Sequence, residues 1–168
     1  MNKNNLQTYR FEDDGVIPNN PNLPVLFYPG AFSEQLERTE ETFNENNWRN
    51  SWTNGVFDFH HYHSNAHEVL GVVQGTAILQ LGGEKGKSLD IKKGDVIILP
   101  AGTGHKRLQS SDDFKIVGAY PDGMEHNLKT EKEEDRLFAS EDISKVPLPD
   151  ADPVFGYNGP LLKEWNVR

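Results

Sequence analysis

Two short segments of this 168-residue chain carry four side chains whose types and spacing suit a divalent metal ion. The first, Gly55 to Gly75, reads GVFDFHHYHSNAHEVLGVVQG. His61 and His63 stand two apart on what reads as a strand, so both imidazoles share a face. A turn follows, and Glu68 opens the next strand, bringing a carboxylate back to that face. The second segment, Gly94 to Gln109, reads GDVIILPAGTGHKRLQ. Pro100, Gly102 and Gly104 close a turn, and His105 then opens a strand that supplies a third imidazole. Three imidazoles and one carboxylate on an ion of octahedral preference leave two positions open for water or substrate.

Alternation along the strands sorts the neighbours. In the run HHYH, an inward His61 and His63 turn His60 and Tyr62 outward, and His67, next to Glu68, also faces out. A one-residue slip would bring in only one metal-capable imidazole. On the strand that begins at His105, the same rule sets Arg107 and Gln109 on the metal-facing side. Arg107 there would favour an anionic substrate such as a carboxylate, unless a twist or bulge turns it to solvent. Gln109 would hydrogen-bond a ligand or a metal-bound water, or stand as an ordinary polar residue at a strand end. Trp48 and Trp52 either pack a helix onto the domain or line the mouth of the site.

The chain has no cysteine, which excludes disulfides and thiolate ligation. Imidazole and carboxylate ligands suit Mn, Fe, Co, Ni, Cu or Zn. The formal charge of −9 repels phosphate backbones and anionic lipid, so neither nucleic acid nor a membrane is expected as a partner. The start, MNKNNLQTYRFEDDG, has no apolar core of a signal peptide, and no apolar run approaches the ~20 residues that span a bilayer. A cytoplasmic location is the expectation.

Around these segments, residues 52–120 alternate β-like runs (VFDFHHYH, HEVLGVV, TAILQL, LDI, DVIILP, HKRLQ, FKIVGAY) with Gly-containing turns. This spacing predicts an all-β antiparallel sandwich or barrel. Residues 1–51 read as an N-terminal arm and a flanking helix: prolines at 18, 21, 24 and 29 forbid helix early on, Val25–Tyr28 suits a short edge strand, and 33–47 is the best helix candidate. Residues 121–168 read as a C-terminal extension of the same single domain. It carries a short helix around Glu131–Phe138 and a tail too rich in Pro and Gly for regular structure. Val154, Phe155, Leu161, Leu162 and Trp165 predict that the tail packs onto a barrel, its own or a partner's.

The two segments resemble the paired cupin motifs, G-x5-H-x-H-x3,4-E-x6-G and G-x5-P-x-G-x2-H-x3-N. Gly55, His61, His63, Glu68 and Gly75 match the first. Gly94, Pro100, Gly102 and His105 match the second after an eighteen-residue gap, with Gln109 where Asn is usual. The flanks FEDDGVIPNNPNLPVLFYPGAF and DPVFGYNGPLLKEW resemble the YjlB-like bacterial cupins, which sharpens the fold and leaves the reaction open. The resemblance implies a jelly-roll β-barrel, one metal ion at its wider end and a homodimer. Two classes of function fit: a metal-dependent dioxygenase or isomerase acting on a small polar or anionic molecule, or a non-catalytic protein that binds a metabolite or metal. Fold does not decide between them.

Overall fold

Burial along the strands divides them into two kinds. Val25–Tyr28, Val96–Leu99 and most of Glu68–Gln74 and Lys115–Pro121 are buried at every position, whereas Thr76–Leu81 and Lys87–Lys92 alternate buried and open. Continuous burial marks a sheet covered on both faces, and alternation one wetted on its outer face. The computed structural model describes residues 5–167, which contain nine strands; the inner strands follow this division, while Gln7–Tyr9 and Trp48–Asn54, at the edges of the larger sheet, are largely open. The strands are β1 (Gln7–Tyr9), β2 (Val25–Tyr28), β3 (Trp48–Asn54), β4 (Glu68–Gln74), β5 (Thr76–Leu81), β6 (Lys87–Lys92), β7 (Val96–Leu99), β8 (His105–Ser110) and β9 (Lys115–Pro121). One antiparallel sheet has six strands in the order β1-β2-β7-β4-β9-β3, and the other has three in the order β6-β5-β8.

The inner core lies between the sheets. Val25, Phe27, Leu70, Val72, Ile97, Leu99 and Ile116 of the larger sheet meet Ala77, Leu79, Leu81, Leu89 and Ile91 of the smaller. The residues between these on the larger sheet, such as Leu26, Val69, Ile98 and Val117, face the other way into a second core. A short helix, α1 (Thr39–Glu45), and the C-terminal tail cover that face through Phe43, Val154, Leu161 and Trp165. Gly71 of β4 makes room for α1, since a Cβ there would stand 2.6 Å from Thr39 and 2.9 Å from Phe43.

Outside residues 52–120, the elements depart from the sequence-based expectation in four places. The helix expected over 33–47 is a 3-10 turn (Leu36–Arg38) followed by α1 alone. Val25–Tyr28 is not an edge, because β1 pairs outside it. The helix near residue 131 is two, α2 (Glu133–Arg136) and α3 (Ala139–Ser144), broken where Phe138 adopts a left-handed φ of 65°. The tail contains a short helix, α4 (Pro160–Glu164), with Pro160 in its first turn.

The tail packs on its own chain. Trp165 donates its indole N–H to the Pro24 carbonyl and Trp48 donates to Ala151. The carboxylate of Asp152, fully buried, accepts from the backbone N–H groups of Val154, Phe155 and Leu161 and from the Tyr28 hydroxyl. Leu161 lies in the first turn of α4, so Asp152 caps that helix from outside it. Among the described residues, no helix is long and apolar enough to cross a membrane.

Asp152→Ala strands three backbone donors and a phenol together. It is expected to lower the unfolding free energy by about 3 kcal/mol or more. Urea denaturation followed by tryptophan fluorescence checks this; an unchanged midpoint would show that water replaces the carboxylate at no cost.

Candidate metal centre

Glu68 is the first residue of β4 and shares the parity of Leu70 and Val72, so its carboxylate faces the inner core. His105 opens β8 opposite Leu81 and faces inward with it. The segment that carries His61 and His63 is not the strand expected for VFDFHHYH. The strand there is β3, which ends at Asn54, and residues 55–67 cross from the larger sheet to the β8 edge of the smaller one and back, with isolated bridges at His61↔His105 and Tyr62↔Lys129. Crossing the open end of the sandwich brings His63 to the carboxylate: Glu68 Oε1 lies 3.4 Å from His63 Nε2 and 3.5 Å from His105 Nε2. His63, Glu68 and His105, all buried, each offer a donor atom within 4.8 Å of the others. His61 stands beside this set, its ring 4.0 Å from that of His105 and 6.1 Å from that of His63.

Each imidazole is oriented by a backbone carbonyl. The Nδ1 of His61 bonds Phe59 at 3.0 Å, that of His105 bonds Thr103 at 3.0 Å, and that of His63 bonds Asn127. A carbonyl only accepts, so each Nδ1 carries hydrogen and each neutral ring presents Nε2 as a lone pair. The lone pairs of His63 and His105 then face a carboxylate oxygen with no proton between them, a donor set that calls for a cation. Where no metal intervenes, protons take that part. Burial lowers the His63 pKa, but the Glu68 charge and hydrogen bond and the Asn127 carbonyl outweigh it, and the net shift is upward. Burial likewise raises Glu68, yet the charge of His63 and hydrogen bonds from His105 and His63 hold it well below the usual carboxylate range. His61 is pushed down to about 2 by burial and then by the charge of His105, so it stays neutral.

Other residues complete the centre. Tyr120 on β9 donates its hydroxyl to Glu68 Oε2 at 2.6 Å and accepts from the Trp52 indole at 2.8 Å. Trp52 lies flat over Gly118, where a Cβ would stand 2.3 Å from the ring. Oε2 is thus engaged and Oε1 is left for the imidazoles. The loop after β9 adds His126, stacked on Tyr120 at 4.2 Å and edge-on to His63 at 5.0 Å. Asn127 ties that loop to the crossing segment: its side chain accepts from Ser64 N–H and donates to Ser64 Oγ, and its own N–H donates to Asn65. None of Tyr120, His126 and Asn127 is among the candidate site residues that the sequence singles out. Tyr120 was findable, because it continues the inward parity of Ile116 and Gly118. His126 had only the signal of being the one histidine outside both motif segments.

A cavity of about 790 Å³ opens beside the four residues. Arg107 lines it, half-buried, and donates Nε–H to the Val56 carbonyl at 3.0 Å. Gln109 does not. Strand β8 bulges between the pairs Ile78↔Gln109 and Leu79↔Arg107, so the extra residue Leu108 shifts the phase and Gln109 follows Ile78 onto the outer side. His60 and His67 are absent from the cavity lining, but neither is on the surface. His60 is buried and bonds Glu84, while the Nδ1 of His67 accepts from Ala101 N–H and its ring packs on Trp165. Tyr62, expected to face out, is fully buried with Ile17, Ala139 and Ile143.

A family profile described as "Cupin domain" matches residues 53–115. "Uncharacterized protein YjlB" of Bacillus subtilis (strain 168) is 45% identical over 159 residues, which cover 95% of this chain and 96% of that one. The chain belongs to the YjlB-like cupins. Among solved structures, this cupin is similar to procruciferin, an 11S globulin of Brassica napus, with 16% identity and a TM-score of 0.39 over 74% of this chain and 26% of that one. It is also similar to acireductone dioxygenase from Bacillus anthracis with a cadmium ion in its active center, with 19% identity and a TM-score of 0.38 over 56% and 61% of the two chains.

The shifts give metal-free protein a definite pH dependence. Glu68 is depressed on folding, so its contribution is present above the unfolded value of 4.5 and is lost as pH falls through the lower folded value. His63 is raised, so its contribution is present below 6.5 and is lost as pH rises through its folded value. EDTA-treated protein is expected to be most stable between these limits, and Glu68→Gln to flatten both sides of the profile. Urea melts across pH 3 to 9 check it; parallel profiles for the two proteins would refute the coupling.

Proposed function

We propose that this cupin is a metal-dependent enzyme, of dioxygenase or isomerase type, acting on a small anionic molecule. His63 and His105 through Nε2, Glu68 through Oε1, and His61 as the fourth ligand would hold one divalent transition metal ion. The observation that carries this reading is the shared pattern at three imidazoles. Every Nδ1 is committed to a carbonyl, so Nε2 alone is available, and two of the three Nε2 atoms face a buried carboxylate.

When bound, the ion supplies Lewis acidity or, if it is iron, an oxygen-binding centre. The chain's own residues do the rest. Arg107 attracts and orients the anion. Leu70 and Phe114 line the cavity with apolar surface and limit water. Tyr120 keeps Glu68 Oε2 occupied and so holds the carboxylate in one pose. A homodimer in the cytoplasm is supported by the family resemblance, the acidic charge and the lack of cysteine.

Protein purified from its native source is expected to carry about one divalent metal per chain, with His63→Ala and His105→Ala each losing most of it. Tyr120→Phe is expected to bind metal about tenfold more weakly while remaining folded. Elemental analysis by mass spectrometry reads both, and unchanged metal content in the two histidine variants would sink the assignment. Iron together with oxygen uptake on small keto acids or diols selects a dioxygenase. Manganese, nickel or zinc without uptake selects an isomerase or a binding protein.

A further inference from the structure

Phe57 and Phe59 form a stacked pair, ring centres 4.9 Å apart and planes 19° apart, that folding leaves in water at 53% and 39% exposure. Two phenylalanines stacked on each other in solvent bury little of their apolar surface. Their place in the molecule gives them a use. Of the large apolar side chains left exposed among the described residues, Phe57 alone lines the cavity beside the candidate metal ligands. Both rings also lean on His61, at 5.1 and 5.6 Å.

The same short segment holds Arg107, the one Lys or Arg among the described residues that line the cavity. Arg107 donates its backbone N–H to the Phe57 carbonyl at 2.9 Å and its Nε–H to the Val56 carbonyl at 3.0 Å. These two bonds fix the guanidinium and the aromatic face relative to one another. Among the described residues, no carboxylate pairs with Arg107, so its terminal N–H groups are free for a ligand. The acids in the lining are Glu68, which faces the imidazoles, and Asp112, which is exposed. A guanidinium tied to an open aromatic surface suits a molecule that is anionic at one end and flat and apolar at the other.

We propose that the cavity takes an aromatic carboxylate, its carboxylate on the free N–H edge of Arg107 and its ring against Phe57, which Phe59 backs by stacking on it. The proposal deepens the reading of this cavity as a ligand site for anions, and adds that the aromatic pair, at unspecified positions between Gly55 and His61 of the first motif, selects the body of the ligand. The guanidinium supplies charge and in-plane hydrogen bonds. The phenylalanines supply stacking, which an aliphatic acid of similar charge cannot use as well.

Benzoate, phenylacetate, propionate and benzyl alcohol serve as probes, titrated into the full-length protein as purified by calorimetry and by fluorescence of Trp52, which lines the cavity. Benzoate or phenylacetate is expected to bind about tenfold more tightly than propionate and than benzyl alcohol. Arg107→Gln should abolish the advantage over benzyl alcohol and keep the rest of the profile. Phe57→Leu and Phe59→Leu should abolish the advantage over propionate, and both keep an apolar side chain so that folding is preserved. Equal binding of benzoate and propionate by the parent protein overturns the proposal. So does a Phe57→Leu, Phe59→Leu double variant that keeps its preference for benzoate, or one that instead converts an oligomer to monomers in sedimentation with that preference intact. Metal analysis of the same samples keeps the two readings apart. Metal-free protein that still prefers benzoate retains the pocket and loses the metal centre, and metal-loaded protein without the preference does the reverse.

Discussion

An ionised carboxylate in a protein interior must meet positive charge, and much of this structure is arranged around that requirement at Glu68. The residue begins a strand whose next inward positions are Leu70 and Val72, so the backbone that buries those side chains also buries the carboxylate. Leaving such a charge unpaired would cost several kcal/mol, more than most single contacts return. The chain answers with a phenol on one oxygen and two imidazoles on the other. Each imidazole is in turn held by a carbonyl, so the positive partner, proton or metal, has one place to sit.

The surrounding architecture makes that place rigid. The central strands of the larger sheet are buried on both faces, by the smaller sheet on one side and by α1 and the tail on the other. Strands β4 and β9, which bring Glu68 and Tyr120, lie side by side inside this sheet rather than at an edge. Their spacing is set by backbone hydrogen bonds and by packing above and below. The histidines come from the opposite wall and from the crossing segment. The centre therefore spans the sandwich, and a change in how the sheets face each other would separate its donors.

Much of this could be read from the amino-acid order, and the failures have physical causes. The four candidate ligands share a neighbourhood because turn residues and strand starts, at Gly102 and at Glu68, are local signals. Strands β5 and β6 were legible from alternation, since one face meets water. Alternation failed for His60 and Tyr62 because residues 55–67 are not a strand, so period two has no force there. It failed again at Gln109, because a bulge is a single unpaired residue that leaves no mark in composition, and Leu108 looks like any other strand residue. Arg107, on the near side of the bulge, kept its inward direction. Tyr28 and Asp152 are 124 residues apart, and their contact was beyond any local pattern. So was the contact of His63 with Asn127, which is made by a backbone carbonyl that every residue type possesses.

That carbonyl has a consequence for the order in which the molecule is made. His61 and His105 take their orienting carbonyls from residues two positions before them, so those rings can be set as soon as their own turns form. His63 takes its carbonyl from a residue 64 positions further along the chain. During synthesis, at about 5–20 residues per second, the histidine emerges seconds before its acceptor. The strand that supplies Tyr120 also follows late. A nascent chain therefore displays loose imidazoles with little power to discriminate, and the finished geometry arises only when the loop beyond the last strand has docked. Capture of an ion in that geometry would be a late event of biosynthesis, and an occupied centre would be a sign that the chain has folded through residue 127.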